Sequence, residues 1–208
     1  MKLLLLPLPV RIFHWLMFTA VVVLLLTGLY LDSPPVWIVL PLSLIRKLHG
    51  MAAALLMMNL FGQVYYYIRS RKFSEILLLP RDWANLRSFL RYSLFITERH
   101  PNFGRYNPGQ KALFTFWGLV VTVASVTGLI LFFPDDTLWL QKLLGGLGSI
   151  RALHYLGAIA FVASIPLHLY LVFTEEPAHL QAMFTGYVQK EPVPCGHRKE
   201  ASRDRRSP

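Results

Sequence analysis

Apolar residues dominate four stretches of the chain, at roughly 12–31, 46–68, 112–133 and 150–173. Each is long enough, or nearly so, to cross a bilayer's hydrocarbon core of about 30 Å. No water is present there to satisfy backbone groups, so each stretch predicts a helix. The second is the least clean, with Asn59 and Gln63 inside it. The first lacks a small-residue cleavage site and reads as a retained span rather than a signal peptide. Between the second and third runs, Trp83, Leu86, Phe89, Leu90 and Leu94 recur at helical spacing with Arg81, Arg87 and Arg91 between them. This pattern predicts an amphipathic helix, lying on the membrane surface or docking a protein. The stretch from Gly104 to Lys111, rich in Gly and Asn-Pro, predicts a turn at the mouth of the third span. The predicted fold class is all-α: an integral membrane four-helix bundle in one domain of residues 1–190. The tail 191–208, rich in Pro, Arg, Lys and Ser, is predicted to be disordered.

Composition agrees, with 15% charged residues against about 25% in an average soluble domain. Charge sets the orientation. The segment 69–111 holds nine Lys or Arg against Glu75, Asp82 and Glu98, and the tail from Lys190 adds six. The connections near 32–47 and 134–151 hold two basic residues each, beside Asp32, Asp135 and Asp136. Basic loops stay cytoplasmic, so both termini and the long central loop are expected on that side of a bacterial inner membrane. Topology accounts for the net charge of +10, and no nucleic-acid partner is expected. The single cysteine, Cys195, excludes an internal disulfide and any Cys-rich iron–sulfur motif in this chain.

Four histidines fall inside or at the ends of the spans. His154 and His168 are fourteen residues apart on span four. At about 100° and 1.5 Å per residue they share one face, roughly 21 Å apart. His14 opens an outward span and His168 ends an inward one, so both lie at the cytoplasmic level. His49 and His154 each open a span entering from outside, so both lie at the external level. Imidazole is a common ligand of haem iron, and two haems stacked across a membrane need this spacing. Arg11, Arg46 and Arg151 each precede a histidine by three residues. One turn nearer the water, an arginine suits a haem propionate. Gly28, fourteen residues after His14, lies on that face near the opposite surface, where a glycine suits either the approach of a flat macrocycle to the backbone or helix–helix packing. Val126-Thr127-Gly128-Leu129 in span three echoes Leu26-Thr27-Gly28-Leu29 in span one. His100, His179 and His197 read as solvated residues. A histidine-relay transporter of metal ions or protons is the rival class; it favours acidic residues in the spans, and these have almost none.

His14-Trp15, His49-Gly50, the Gly104–Lys111 turn, and His154 with His168 carry a resemblance. The chain resembles the cytochrome b (gamma) subunit of respiratory formate dehydrogenase, within the wider family that includes the b-type cytochromes of nickel–iron hydrogenases. The turn Gly-Arg-Tyr-Asn-Pro-Gly-Gln-Lys points to the formate dehydrogenase branch. The resemblance implies two haem b groups, held by His49 with His154 outside and His14 with His168 inside. It implies electron transfer from an iron–sulfur subunit, attached to a catalytic dehydrogenase subunit, to menaquinone or ubiquinone. Asn107, Gly109 and His168 are implied near the quinone head, and Gln110 is placed with them by the same turn. A standalone cytochrome exchanging electrons between quinone and a small oxidant is the nearer alternative. The C-terminal stretch Pro-Val-Pro-Cys-Gly-His departs from the family pattern.

Overall fold

The computed structural model describes residues 2–94, 96–97, 106–175 and 177–189. Among the described residues, four helices are long and apolar enough to cross a membrane: α1 (Leu8–Asp32), α2 (Leu42–Arg69), α5 (Pro108–Phe132) and α7 (Gly146–Tyr170). Span four runs on through a π-helical turn, Leu171–Glu175. Each helix begins four residues before its apolar run, at 8, 42, 108 and 146. A first helical turn needs no apolar side chains, because its four unbonded N–H groups are best left near water. Prolines fit there too. Pro7 and Pro41 are the N-caps of α1 and α2, and Pro108 opens α5, each at a position where a missing N–H costs nothing.

Shorter elements complete the chain: α3 (Phe73–Ile76), a 3-10 turn (Pro80–Asp82), α4 (Trp83–Ser93), α6 (Leu138–Leu143) and α8 (Pro177–Thr185). The predicted amphipathic helix is α4. Its Phe89 is buried with Leu113 and Leu171, so this face rests on the bundle, while Trp83, Leu90 and Leu94 stay exposed. A two-stranded antiparallel ribbon pairs β1 (Lys2–Leu4) with β2 (Tyr187–Gln189). It brings both ends of the described chain to one end of the bundle, here termed the capped end. Leu6, Val10, Tyr67 and Ala182 pack beneath it. Gly186 turns α8 into β2 with φ +84°; a Cβ there would be 3.3 Å from the Leu6 carbonyl oxygen.

The bundle is two helical hairpins, α1 with α2 and α5 with α7. Lipid is as apolar as leucine, so packing and interhelical hydrogen bonds hold such spans together, at about 0.6 kcal/mol per bond on average. Asn59 Nδ2 donates to the Phe13 carbonyl at 3.0 Å within the first hairpin. Trp117 Nε1 donates to Ser164 Oγ at 2.7 Å within the second. Ala20, Leu56, Val121 and Phe161, one from each span, form the buried centre.

Asp82 ties the central loop to span three. Its carboxylate accepts the Leu79 N–H at 2.9 Å and pairs with Lys111 Nζ at 3.0 Å. The Leu79 N–H foremost, then Lys111 and Arg81, hold this carboxyl below the usual aspartate value. A carboxyl whose pKa is lowered by folding adds stability above its unfolded pKa, and that share is lost as pH falls through the folded value. Asp82→Asn is therefore expected to melt earlier than wild type at pH 7, with the gap closing below about pH 4. Thermal unfolding in detergent, followed by circular dichroism, reads both effects.

Candidate functional site: two histidine pairs across the hairpin seam

The four span histidines meet in two pairs, each joining one hairpin to the other. At the capped end, His14 of α1 faces His168 of α7 with ring centroids 6.5 Å apart. At the far end, His49 of α2 faces His154 of α7 at 6.3 Å. Two metal–nitrogen bonds of about 2.0 Å plus two imidazole ring radii of about 1.2 Å place the centroids of two axial ligands about 6.4 Å apart. Both pairs match the separation of two imidazoles on opposite sides of one metal atom. Among the described residues no group of three or more His, Cys, Asp or Glu side chains is placed to hold a metal ion. Two imidazoles alone are too few for a tetrahedral zinc site. They suit haem, whose iron takes its remaining ligands from the macrocycle.

The local sequence explains why the far-end rings face inward. Thr27 Oγ1 lies 2.9 Å from His49 Nδ1, and Thr127 Oγ1 lies 3.0 Å from His154 Nδ1. The glycine after each threonine leaves room for the same ring. A Cβ on Gly28 would stand 3.4 Å from His49 Cε1, and one on Gly128 3.2 Å from His154 Cε1. In the structure the surface that approaches each of these glycines is the neighbouring helix's imidazole. The repeated Leu-Thr-Gly-Leu and Val-Thr-Gly-Leu segments perform one task in both hairpins. Thr27 and Thr127 were missed as site residues, although that echo was their signal.

The capped-end pair is built differently. His14 Nδ1 is buried with no hydrogen-bond partner. His168 packs against Trp117 at 5.0 Å between ring centroids, and Trp117 stacks on Phe161 at 4.9 Å and 19°. Pro166, inside α7, lacks the N–H that would bond the Val162 carbonyl. The helix passes into its π turn three residues after His168.

Other expected site residues sit as follows. The Arg11 guanidinium donates to the carbonyls of Met183 and Phe184. These carbonyls end α8, where a cation is favoured. Arg46 and Arg151 are exposed, one turn from His49 and His154. Asn107 and Gln110 are buried and form a reciprocal cap on α5. Asn107 Oδ1 accepts the Gln110 N–H at 2.8 Å, and Gln110 Oε1 accepts the Asn107 N–H at 3.1 Å. Gly109 is not open to a flat ligand, because the Phe89 ring occupies its face; a Cβ there would be 2.5 Å from Phe89 Cε1. Tyr106 stacks on His179 at 5.4 Å and 32°, so His179 is a packed residue rather than a solvated one. Gly104, Arg105, His100, Cys195 and His197 lie outside the described residues.

The chain is similar to a probable Ni/Fe-hydrogenase B-type cytochrome subunit of Rhodobacter capsulatus, 26% identical over 91% of this chain and 79% of that protein. The protein of the same name from Azotobacter vinelandii is 27% identical over 86% of this chain and 84% of its own length. The putative protein-methionine-sulfoxide reductase subunit YedZ1 of Azospira oryzae is 30% identical over 85% of this chain and 93% of its own length. The prokaryotic cytochrome b561 family profile matches residues 5–186. Four membrane-length helices and this match make the chain a multi-pass membrane b-type cytochrome, and it belongs to the prokaryotic cytochrome b561 family.

Proposed function

We propose that this chain is the di-haem membrane anchor of a respiratory oxidoreductase, carrying electrons from an iron–sulfur subunit of a formate dehydrogenase-like complex across the membrane to quinone. The observation that carries this reading is the pair of imidazole pairs, 6.3 and 6.5 Å between centroids, at opposite ends of the bundle. His49 with His154 would hold one haem b and His14 with His168 the other. When bound, iron with two imidazole ligands has no free coordination position and supplies one-electron transfer. The protein's part is to orient the four rings, span the bilayer and exclude water between the levels through the Ala20–Leu56–Val121–Phe161 core.

The capped end is assigned to the cytoplasm of a bacterial inner membrane. The paired ribbon and the basic central loop support this. Menaquinone or ubiquinone would then be reduced at that side, near His168 and the turn before α5. Arg46 and Arg151, exposed beside the far-end pair, remain suited to propionates.

The formate dehydrogenase partner rests on the turn from Gly104 to Lys111. A second reading, in which the catalytic partner is a hydrogenase, is favoured by the names of the Rhodobacter and Azotobacter relatives. One experiment addresses both. The protein, solubilised from its native membranes, is expected to bring down an iron–sulfur subunit and a dehydrogenase. It should contain two haem b per chain by the pyridine haemochrome method. A colourless protein would return the histidines to a relay role. A coloured protein purified without any iron–sulfur subunit would support a standalone cytochrome.

A further inference from the structure

We infer that Thr27 and Thr127 are positioning residues that fix the tautomer of His49 and His154 and hold the far-end haem at a lower potential than it would otherwise have. The inference rests on the di-haem reading above and follows from counting protons. A threonine hydroxyl has one proton to donate. Thr27 Oγ1 lies 2.6 Å from the Val23 carbonyl oxygen and 3.3 Å from that of Leu24. Thr127 Oγ1 lies 2.8 Å from the Val123 carbonyl oxygen and 3.2 Å from that of Ala124. Carbonyls only accept, so each hydroxyl proton is spent on its own helix. Toward the histidine, each threonine oxygen is then an acceptor. The ring nitrogen facing it, Nδ1, must carry the proton.

Two consequences follow for the ring. With Nδ1 protonated, the lone pair sits on Nε2, the nitrogen available to iron. With Nδ1–H donating to an oxygen, the imidazole is more basic, and a more basic axial ligand favours the oxidised metal. Both far-end ligands receive this treatment from the same kind of residue, one in each hairpin. The capped-end site lacks the matching pair of threonines, since His14 Nδ1 is buried without a partner. Any effect of the threonines is therefore confined to one of the two haems, and the other serves as an internal reference.

The test uses the purified full chain with both haems. Redox titration resolves two components, and the one missing from His49→Ala is the far-end haem. Thr27→Val and Thr127→Val keep the shape and remove the hydroxyl. Each is expected to raise the midpoint potential of the far-end haem and leave that of the capped-end haem unchanged. Thr27→Ser and Thr127→Ser keep an oxygen at the same place and should restore the wild-type potential. Should a valine variant fail to retain the far-end haem, recovery of that haem in the serine variant carries the same support. An unmoved far-end potential in both valine variants overturns the inference while the di-haem reading stands. So does a serine variant that behaves as the valine one. Wild-type protein without b-haem absorption removes the di-haem reading itself, so the two failures are told apart.

Discussion

Substituting either member of a histidine pair by alanine is expected to remove one haem and spare the other. His49→Ala and His154→Ala should each lower haem content from two to one per chain, losing the far-end component. His14→Ala and His168→Ala should lose the capped-end component. The two pairs share no side chain and sit fourteen residues apart along α7, roughly 21 Å at 1.5 Å per residue. Between them lies the buried centre contributed by all four spans. Effects at sites this far apart without shared partners are close to independent. A single remaining imidazole would hold the group only weakly. Pyridine haemochrome content with low-temperature difference spectra checks all four variants. A content of two in any of them would mean that the opposed rings at 6.3 or 6.5 Å are not a ligand pair.

The spans and the levels of the histidines were legible in the sequence because each depends on a local rule. A bilayer demands an unbroken apolar run, and helical periodicity converts a separation of fourteen residues into one face and one distance. The meeting of His14 with His168, and of His49 with His154, required only that levels be counted in from each end. The features that were not legible all join residues with no period between them. Thr27 reaches His49 from another helix, and Phe89 reaches Gly109 from α4. The ribbon pairs Lys2 with Gln189 through backbone groups that any sequence possesses. Arg11 is instructive: the structure adds helix-end carbonyls to the carboxylate that its place before His14 suggests. The helix end it caps lies about 170 residues away along the chain, where local spacing carries no information about an arginine's partner. The glycines show the same limit. A glycine such as Gly28 invites close approach, yet sequence alone does not say which surface approaches.

The second large effect concerns quinone. The reciprocal cap on α5 engages the Asn107 carbonyl oxygen and leaves the chemistry of its amide nitrogen to be assigned. Asn107→Asp isolates that nitrogen. A carboxylate is as good an N-cap as an amide: it still accepts the Gln110 N–H, and its charge suits a helix N-terminus. The fold at the mouth of span three should therefore survive, with both haems bound. The substitution exchanges the NH2 donor for an anionic acceptor oxygen of the same size. As a quinone carbonyl is reduced, negative charge grows on its oxygen and a donor there becomes worth about 1.5–3 kcal/mol. Losing it is expected to slow quinone reduction by about 10- to 150-fold. Reduction of the haems by the partner should keep its wild-type rate, because that step does not involve the turn. Steady-state turnover with a soluble quinone analogue, alongside stopped-flow haem reduction, separates the two steps. Asn107→Ala, which also removes the cap, should add a loss of thermal stability of about 1 kcal/mol. Wild-type turnover and inhibitor affinity in Asn107→Asp would confine Asn107 to shaping the start of α5. The quinone would then be sought beside Trp117 and His168, which lie in contact at the same end of the bundle.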